Sequence, residues 1–188
     1  MPAAPNTTAS MILRTTPATP NTSKSYSVYN LGQNQILAGQ GVLTNIGDWD
    51  FAGPGAVNFD FNFGSAQSTV DLWVKRATTI LINGTPVAVN QFLVYNIRDN
   101  AVTSNSGIVG NIGPNWEVQG FGHFFSGDSF DQADMMTRSV TNGTASYIAY
   151  DTQNDQFLNF IIAAQVGADW NTAGFGEYVN NAINPPPQ

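Results

Sequence analysis

Asn115-Trp116-Glu117-Val118-Gln119-Gly120-Phe121-Gly122-His123-Phe124 decides the fold, because the chain writes it again. Near the C-terminus it reads Asp169-Trp170-Asn171-Thr172-Ala173-Gly174-Phe175-Gly176-Glu177-Tyr178, and a worn earlier copy reads Asp48-Trp49-Asp50-Phe51-Ala52-Gly53-Pro54-Gly55. Such recurrence marks a repeat architecture, in which each unit buries its apolar face against the next.

Working outward from the Trp segments, three more series recur. Arg14, Arg76 and Arg138 fall at equal intervals, closing Met11-Ile12-Leu13-Arg14, Asp71-Leu72-Trp73-Val74-Lys75-Arg76 and Asp134-Met135-Met136-Thr137-Arg138. A Tyr series reads Tyr26-Ser27-Val28-Tyr29-Asn30, Phe92-Leu93-Val94-Tyr95-Asn96 and Tyr147-Ile148-Ala149-Tyr150-Asp151. The last begins at Gly41, at Gly107 and at Ala163. Each unit therefore holds four short segments rich in β-branched and aromatic residues and bounded by turn formers, which predicts four strands. Asn83-Gly84 and Asn142-Gly143 fall between the Arg and Tyr segments of units two and three. Asn-Gly accepts positive φ at both central positions of a type I′ hairpin turn. Unit one has a longer connection there, Thr16 to Asn21. Phe157 to Val166 is the one window with ambiguous periodicity, and Ile161-Ile162 favours a strand.

The Trp-x-x-x-Gly-Phe-Gly-x-Phe segment followed by Asp134-Met135-Met136-Thr137-Arg138 resembles the FG-GAP or VCBS-type repeats, and the likeness runs over most of residues 11 to 178. That family builds propeller blades in exported bacterial proteins and adhesion receptors. The resemblance implies an all-β fold of three four-stranded propeller-like blades over residues 11–179, between a mobile tail at 1–10 and a Pro-rich tail at 180–188. The Arg segment comes first and a Trp segment last, so the N- and C-terminal strands are expected to share one blade. Closed propellers have about four to eight blades, so three is few. Without closure the two terminal strands become complementary edges that recruit a second chain, as a two-fold ring or as a filament. The family often holds calcium after its Phe-Gly strand. Asp128, Asp131 and Asp134 would supply such a structural calcium here, although the loop lacks the alternating carboxylates that give calcium six or more oxygen ligands.

Composition narrows the function. The 188 residues are 42% hydrophobic and carry no cysteine, so a packed core is expected and thiolate chemistry and Cys-ligated metals are excluded. Charged residues make up 10% of the chain, against roughly 25% in an ordinary domain. The net charge is -7 with six Lys plus Arg, which leaves no basic stripe for nucleic acid or for an anionic membrane surface. Residues 1–8 show no signal-peptide pattern. The apolar run Phe160 to Ala164 is too short to insert across a bilayer. An extracellular or cell-surface protein is the expectation, its export route unread.

No residue set marks an enzyme. His123 is the only histidine; a catalytic reading would join it to Asp128 or Asp131 and to Ser126 or Ser129. It occupies the slot that unit three fills with Glu177, a solvent-facing position. A glycosidase-like carboxylate pair near Asp128 has nothing to single it out. Trp49, Trp116 and Trp170 would pack between blades or stack on sugar rings. Trp73 replaces the Leu or Met of its siblings and is the candidate for an exposed platform. Arg14, Arg76 and Arg138 are expected to order the blades by pairing with Asp71, Asp134 or a carbonyl. The leading expectation is a non-enzymatic, cofactor-free repeat protein that self-associates through its terminal strands; the alternative is a carbohydrate-binding lectin with aromatic sites between blades.

Overall fold

Two Asn-Gly turns set the centre of the fold. In the computed structural model Asn83 and Gly84 have φ of 50° and 80°, and Asn142 and Gly143 have 50° and 78°. Both central residues of each turn are thus left-handed, the type I′ geometry whose twist matches the strands it joins. A third such turn, at Asn154 (50°) and Asp155 (59°), closes the last hairpin. The structure describes residues 9–15, 24–32, 35–36, 41–43, 46–47, 49–55, 71–98, 101–103, 106–125 and 133–175.

The described residues are all β, with no helix, and form three antiparallel sheets plus one short ribbon. The first sheet holds β1 (Ala9–Arg14), β2 (Tyr26–Gly32), β3 (Gln35–Ile36) and β4 (Gly41–Leu43). Both β3 and β4 lie along the edge of β2 away from β1. The second sheet orders β5 (Asp50–Gly55), β6 (Asp71–Ile82), β7 (Thr85–Tyr95) and β10 (Gly107–Ile112) as neighbours. The ribbon β8 (Ile97–Arg98) and β9 (Ala101–Val102) links β7 to β10. The third sheet runs β11 (Glu117–Gly122), β12 (Asp134–Thr141), β13 (Thr144–Gln153) and β14 (Gln156–Gly167) in chain order. The ambiguous window after Phe157 is therefore strand.

The second and third sheets repeat one pattern: Trp strand, Arg strand, Tyr strand, Gly strand. They also share a bulge in the first strand, between Phe51 and Gly53 and again between Val118 and Gly120. In the first sheet the place beside β1 carries no strand among the described residues. Among the described residues the expected sharing of one blade by the terminal strands is not formed, and no closed ring is seen.

Two apolar layers hold the stack. One lies between the first and second sheets and joins Tyr26, Val28 and Leu43 to Leu72, Val74 and Tyr95. Tyr95 also donates its hydroxyl to the Ile46 carbonyl at 3.0 Å. The other lies between the second and third sheets and joins Trp73, Phe92 and Val94 to Met135, Phe121 and Phe157. The middle sheet is buried on both faces, which is why Leu72-Trp73-Val74 is apolar without alternation.

The sheet register moves one expected equivalence. Met11 pairs with Tyr29, Leu72 with Tyr95 and Met135 with Tyr150. Counting from these, Arg14 and Arg138 correspond to Lys75, facing Tyr26, Tyr147 and Phe92 across the strands. Arg76 sits one position further along. Side chains alternate along a strand, so one residue puts Arg76 on the opposite face. Its segment has one residue more than Asp134 to Arg138, and the equal spacing in sequence conceals this.

Tyr150, close to Phe157 (5.0 Å between ring centres) and Phe160 (6.0 Å), reports the third sheet's packing. Burial pushes its phenol pKa up, and a hydrogen bond with Thr137 pulls weakly the other way. Tyr26 is raised by burial too, against Arg14 and Lys24. A raised folded pKa means that the fold holds the neutral phenol, so this stability is complete below the unfolded value of about 10 and declines as pH climbs through the folded one. Urea midpoints should fall across that alkaline window, and Tyr150→Phe should flatten part of the fall. An unchanged slope in Tyr150→Phe would refute the assignment.

Candidate functional site

The conspicuous arrangement is the joint between one unit and the next. Each joint starts with a glycine against a tryptophan. Cβ atoms at Gly47, Gly113 and Gly167 would lie 3.4, 3.3 and 3.6 Å from the rings of Trp49, Trp116 and Trp170. The turn is closed by the Trp116 amide donating to the Gly113 carbonyl (3.2 Å) and Trp170 to Gly167 (3.1 Å).

Each Trp carbonyl is then gripped by a different side chain from the part of the chain that builds the preceding sheet. Lys24 Nζ donates to Trp49 O at 3.3 Å and also pairs with Asp50. Asn90 Nδ2 donates to Pro114 O and Trp116 O at 3.3 and 3.5 Å. Arg138 donates to Ala168 O and Trp170 O at 2.9 and 3.0 Å, with the Tyr147 hydroxyl on Trp170 O at 3.4 Å. Three chemically different donors do one task, so sequence comparison of the units could not reveal it.

Next along the strand comes a ring-on-glycine contact. The Phe121 ring lies where a side chain at Gly53 would be, and 3.1 Å from a Cβ at Gly55. One unit later the Phe175 ring lies 2.7 Å from a Cβ at Gly120, with its centre 5.2 Å from that of Phe124. Gly53 and Gly120 are equivalent, as are Phe121 and Phe175. Trp170–Phe175 therefore lies on the third sheet much as β11 lies on β5, although it pairs with no strand among the described residues.

The predicted site residues can now be placed. Trp73 is 0% exposed, tilted against Phe121 at 5.1 Å and stacked on Phe157 at 6.2 Å between ring centres, so it is core and no platform. The stacking of sheets on both sides of β6 accounts for that. Trp49 is buried under the Arg76 guanidinium, 4.3 Å from its ring. Trp116 is half-buried, and Trp170 is 67% exposed, the one tryptophan still open to a ligand. Arg76 donates to Gln91 Oε1 at 2.9 and 3.2 Å. Arg14 is exposed.

Asp134 is 0% exposed and accepts backbone N–H groups from Phe124 (2.7 Å), Phe125 (3.2 Å) and Thr152 (3.2 Å). Asp71, equally buried, accepts from Ile97 at 3.1 Å. Both repeat carboxylates thus fasten backbone. Asp128 and Asp131 lie outside the described residues, and among those described no His, Cys, Asp and Glu cluster could hold a metal. His123 is exposed. No described helix is long and apolar enough to cross a membrane.

Two further features escaped the sequence reading. The edge strand β14 exposes Leu158, Phe160 and Ile162 at 54, 60 and 64%. In the first sheet Leu13 is 47% exposed, whereas its equivalents Val74 and Thr137 are 0%. No family model, curated protein or solved structure matches the chain.

Proposed function

We propose that this is a non-enzymatic β-repeat protein of the FG-GAP or VCBS propeller-like kind, working outside the cell as a structural or adhesive component that assembles with further copies of itself. The observation that carries the reading is the ring-on-glycine joint. It seats the third sheet on the second and then recurs at Gly120 and Phe175, where no further sheet follows among the described residues. A joint of that kind can be continued by any chain that offers the remaining strands. The apolar edge of β14 and the half-open Leu13 supply surface that a neighbour would cover. The low charge agrees with this, since few ionic groups need desolvation when copies meet.

Light scattering over a rising concentration series tests the reading. Particle mass should climb beyond that of one chain, with rings or fibres seen by electron microscopy. A particle that stays monomeric at high concentration overturns it.

A further inference from the structure

We propose that segment 170–175 of one copy binds, in a second copy, the edge of β1 that carries no strand among the described residues, and adds a first strand to that copy's first sheet. The inference rests on the self-assembly reading and names its contact.

Three independent observations converge on this occupant. First, β1 pairs only with β2 among the described residues, whereas its equivalents β6 and β12 each carry a Trp strand on the corresponding edge. Second, 170–175 has the make-up of that strand and no strand partner among the described residues, and Phe175 on Gly120 places it as Phe121 on Gly53 places β11. Third, the outward face of the first sheet is dressed for burial. Met11 and Leu13 correspond to Leu72 and Val74, which are 0% exposed because the preceding sheet covers them, yet Leu13 stands 47% open. A copy whose third sheet stacked on this face would cover Leu13 and deliver its own 170–175 to the edge of β1 in one movement.

The two complete sheets fix the register. Asp50 pairs with Lys75, Phe51 with Val74, Gly53 with Trp73 and Pro54 with Leu72, skipping Ala52. Glu117 pairs with Arg138, Val118 with Thr137, Gly120 with Met136 and Phe121 with Met135, skipping Gln119. Transferred to the joint between copies, Asn171 faces Arg14, Thr172 faces Leu13, Gly174 faces Ile12 and Phe175 faces Met11, with the bulge at Ala173. The contact is head to tail, so it propagates into a filament unless the rotation per copy closes it into a ring.

The absence of cysteine makes the test clean. Arg14→Cys and Asn171→Cys are prepared as separate proteins, mixed and oxidised. Cross-strand partners lie about 4.5 to 5.5 Å apart at Cα, within the range of about 4.4 to 6.8 Å that a disulfide spans. The mixture should give a disulfide-linked heterodimer about tenfold in excess of that from Val140→Cys mixed with Asn171→Cys, whose sites the register keeps apart. Leu13→Cys with Thr172→Cys is the second in-register pair, should a variant at Arg14 fail to fold. If the wild-type protein assembles but neither pair links above the control, the contact is wrong and self-assembly through another surface, such as β14, survives. If the protein is monomeric and nothing links, both fail. An Arg14→Cys/Asn171→Cys double variant that closes within a single monomeric chain also overturns the proposal.

Discussion

Gly53→Ala is expected to lower the free energy of unfolding by about 3 kcal/mol, at the upper end of what overpacking a core costs. An alanine is strained at a φ of 158° in any case, and the added methyl group would occupy the space of the Phe121 ring. On one side lie Gly53 and Gly55; on the other lies the fully buried Trp73, with ring centres 5.1 Å apart. Either the ring leaves the layer or the second and third sheets separate locally. Phe121→Ala alone should cost about 3 kcal/mol through the cavity it opens. The double variant is the informative protein, because the alanine at position 53 then grows into vacated space. Its loss should exceed that of Phe121→Ala by about 1 kcal/mol, the backbone strain of alanine at a φ of 158°, which leaves a coupling of about 2 kcal/mol. Urea unfolding of the four proteins measures this, and additive losses would show that the ring and the glycine do not form one joint. The same logic predicts that Gly120→Ala displaces Phe175 and weakens assembly more than it weakens the fold.

What could be read in the chain follows from how local each determinant is. The Asn-Gly hairpins and the strand series were legible because positive φ and side-chain alternation are properties of a few consecutive residues. Trp73 misled because exposure is decided by what covers a strand. Leu72-Trp73-Val74, unbroken by a polar residue, was the available sign that β6 is covered on both faces. Arg76 misled because equal spacing in sequence says nothing about an extra residue before it, and one residue exchanges the faces of a strand. Ring closure was not legible at all, since it depends on the angle accumulated between sheets rather than on any segment. The grip on each Trp carbonyl was hidden for another reason: Lys24, Asn90 and Arg138 come from different strand positions and share only the ability to donate. The repeated Asp at the head of the Arg strand was visible, but its partners come from other strands, so a pairing with Arg was the natural and incomplete reading.

That carboxylate carries the second large effect. Asp134→Ala should destabilise the protein by about 4 kcal/mol, because it strands several buried donors rather than removing one bond. Its Oδ2 receives Phe124 and Phe125, the residues that follow β11, and its Oδ1 receives Thr152 near the end of β13. One side chain at the head of β12 therefore clamps both neighbouring strands where the chain leaves them. Asp134→Asn keeps one acceptor oxygen but turns an amide donor toward an N–H group, and should recover only part of the loss. Glu117→Gln, an exposed change in the same sheet, should stay within about 0.5 kcal/mol. A domain of this size has about 5 to 15 kcal/mol in hand, so Asp134→Ala should still fold when cold. Assembly should nevertheless suffer first. The clamp fixes Phe124, Phe124 packs on Phe175, and Phe175 seats the segment proposed to meet the next copy. Light scattering of folded Asp134→Ala should therefore show a loss of association before circular dichroism shows a loss of β-structure. Wild-type assembly by a folded Asp134→Ala protein would sever that chain of contacts.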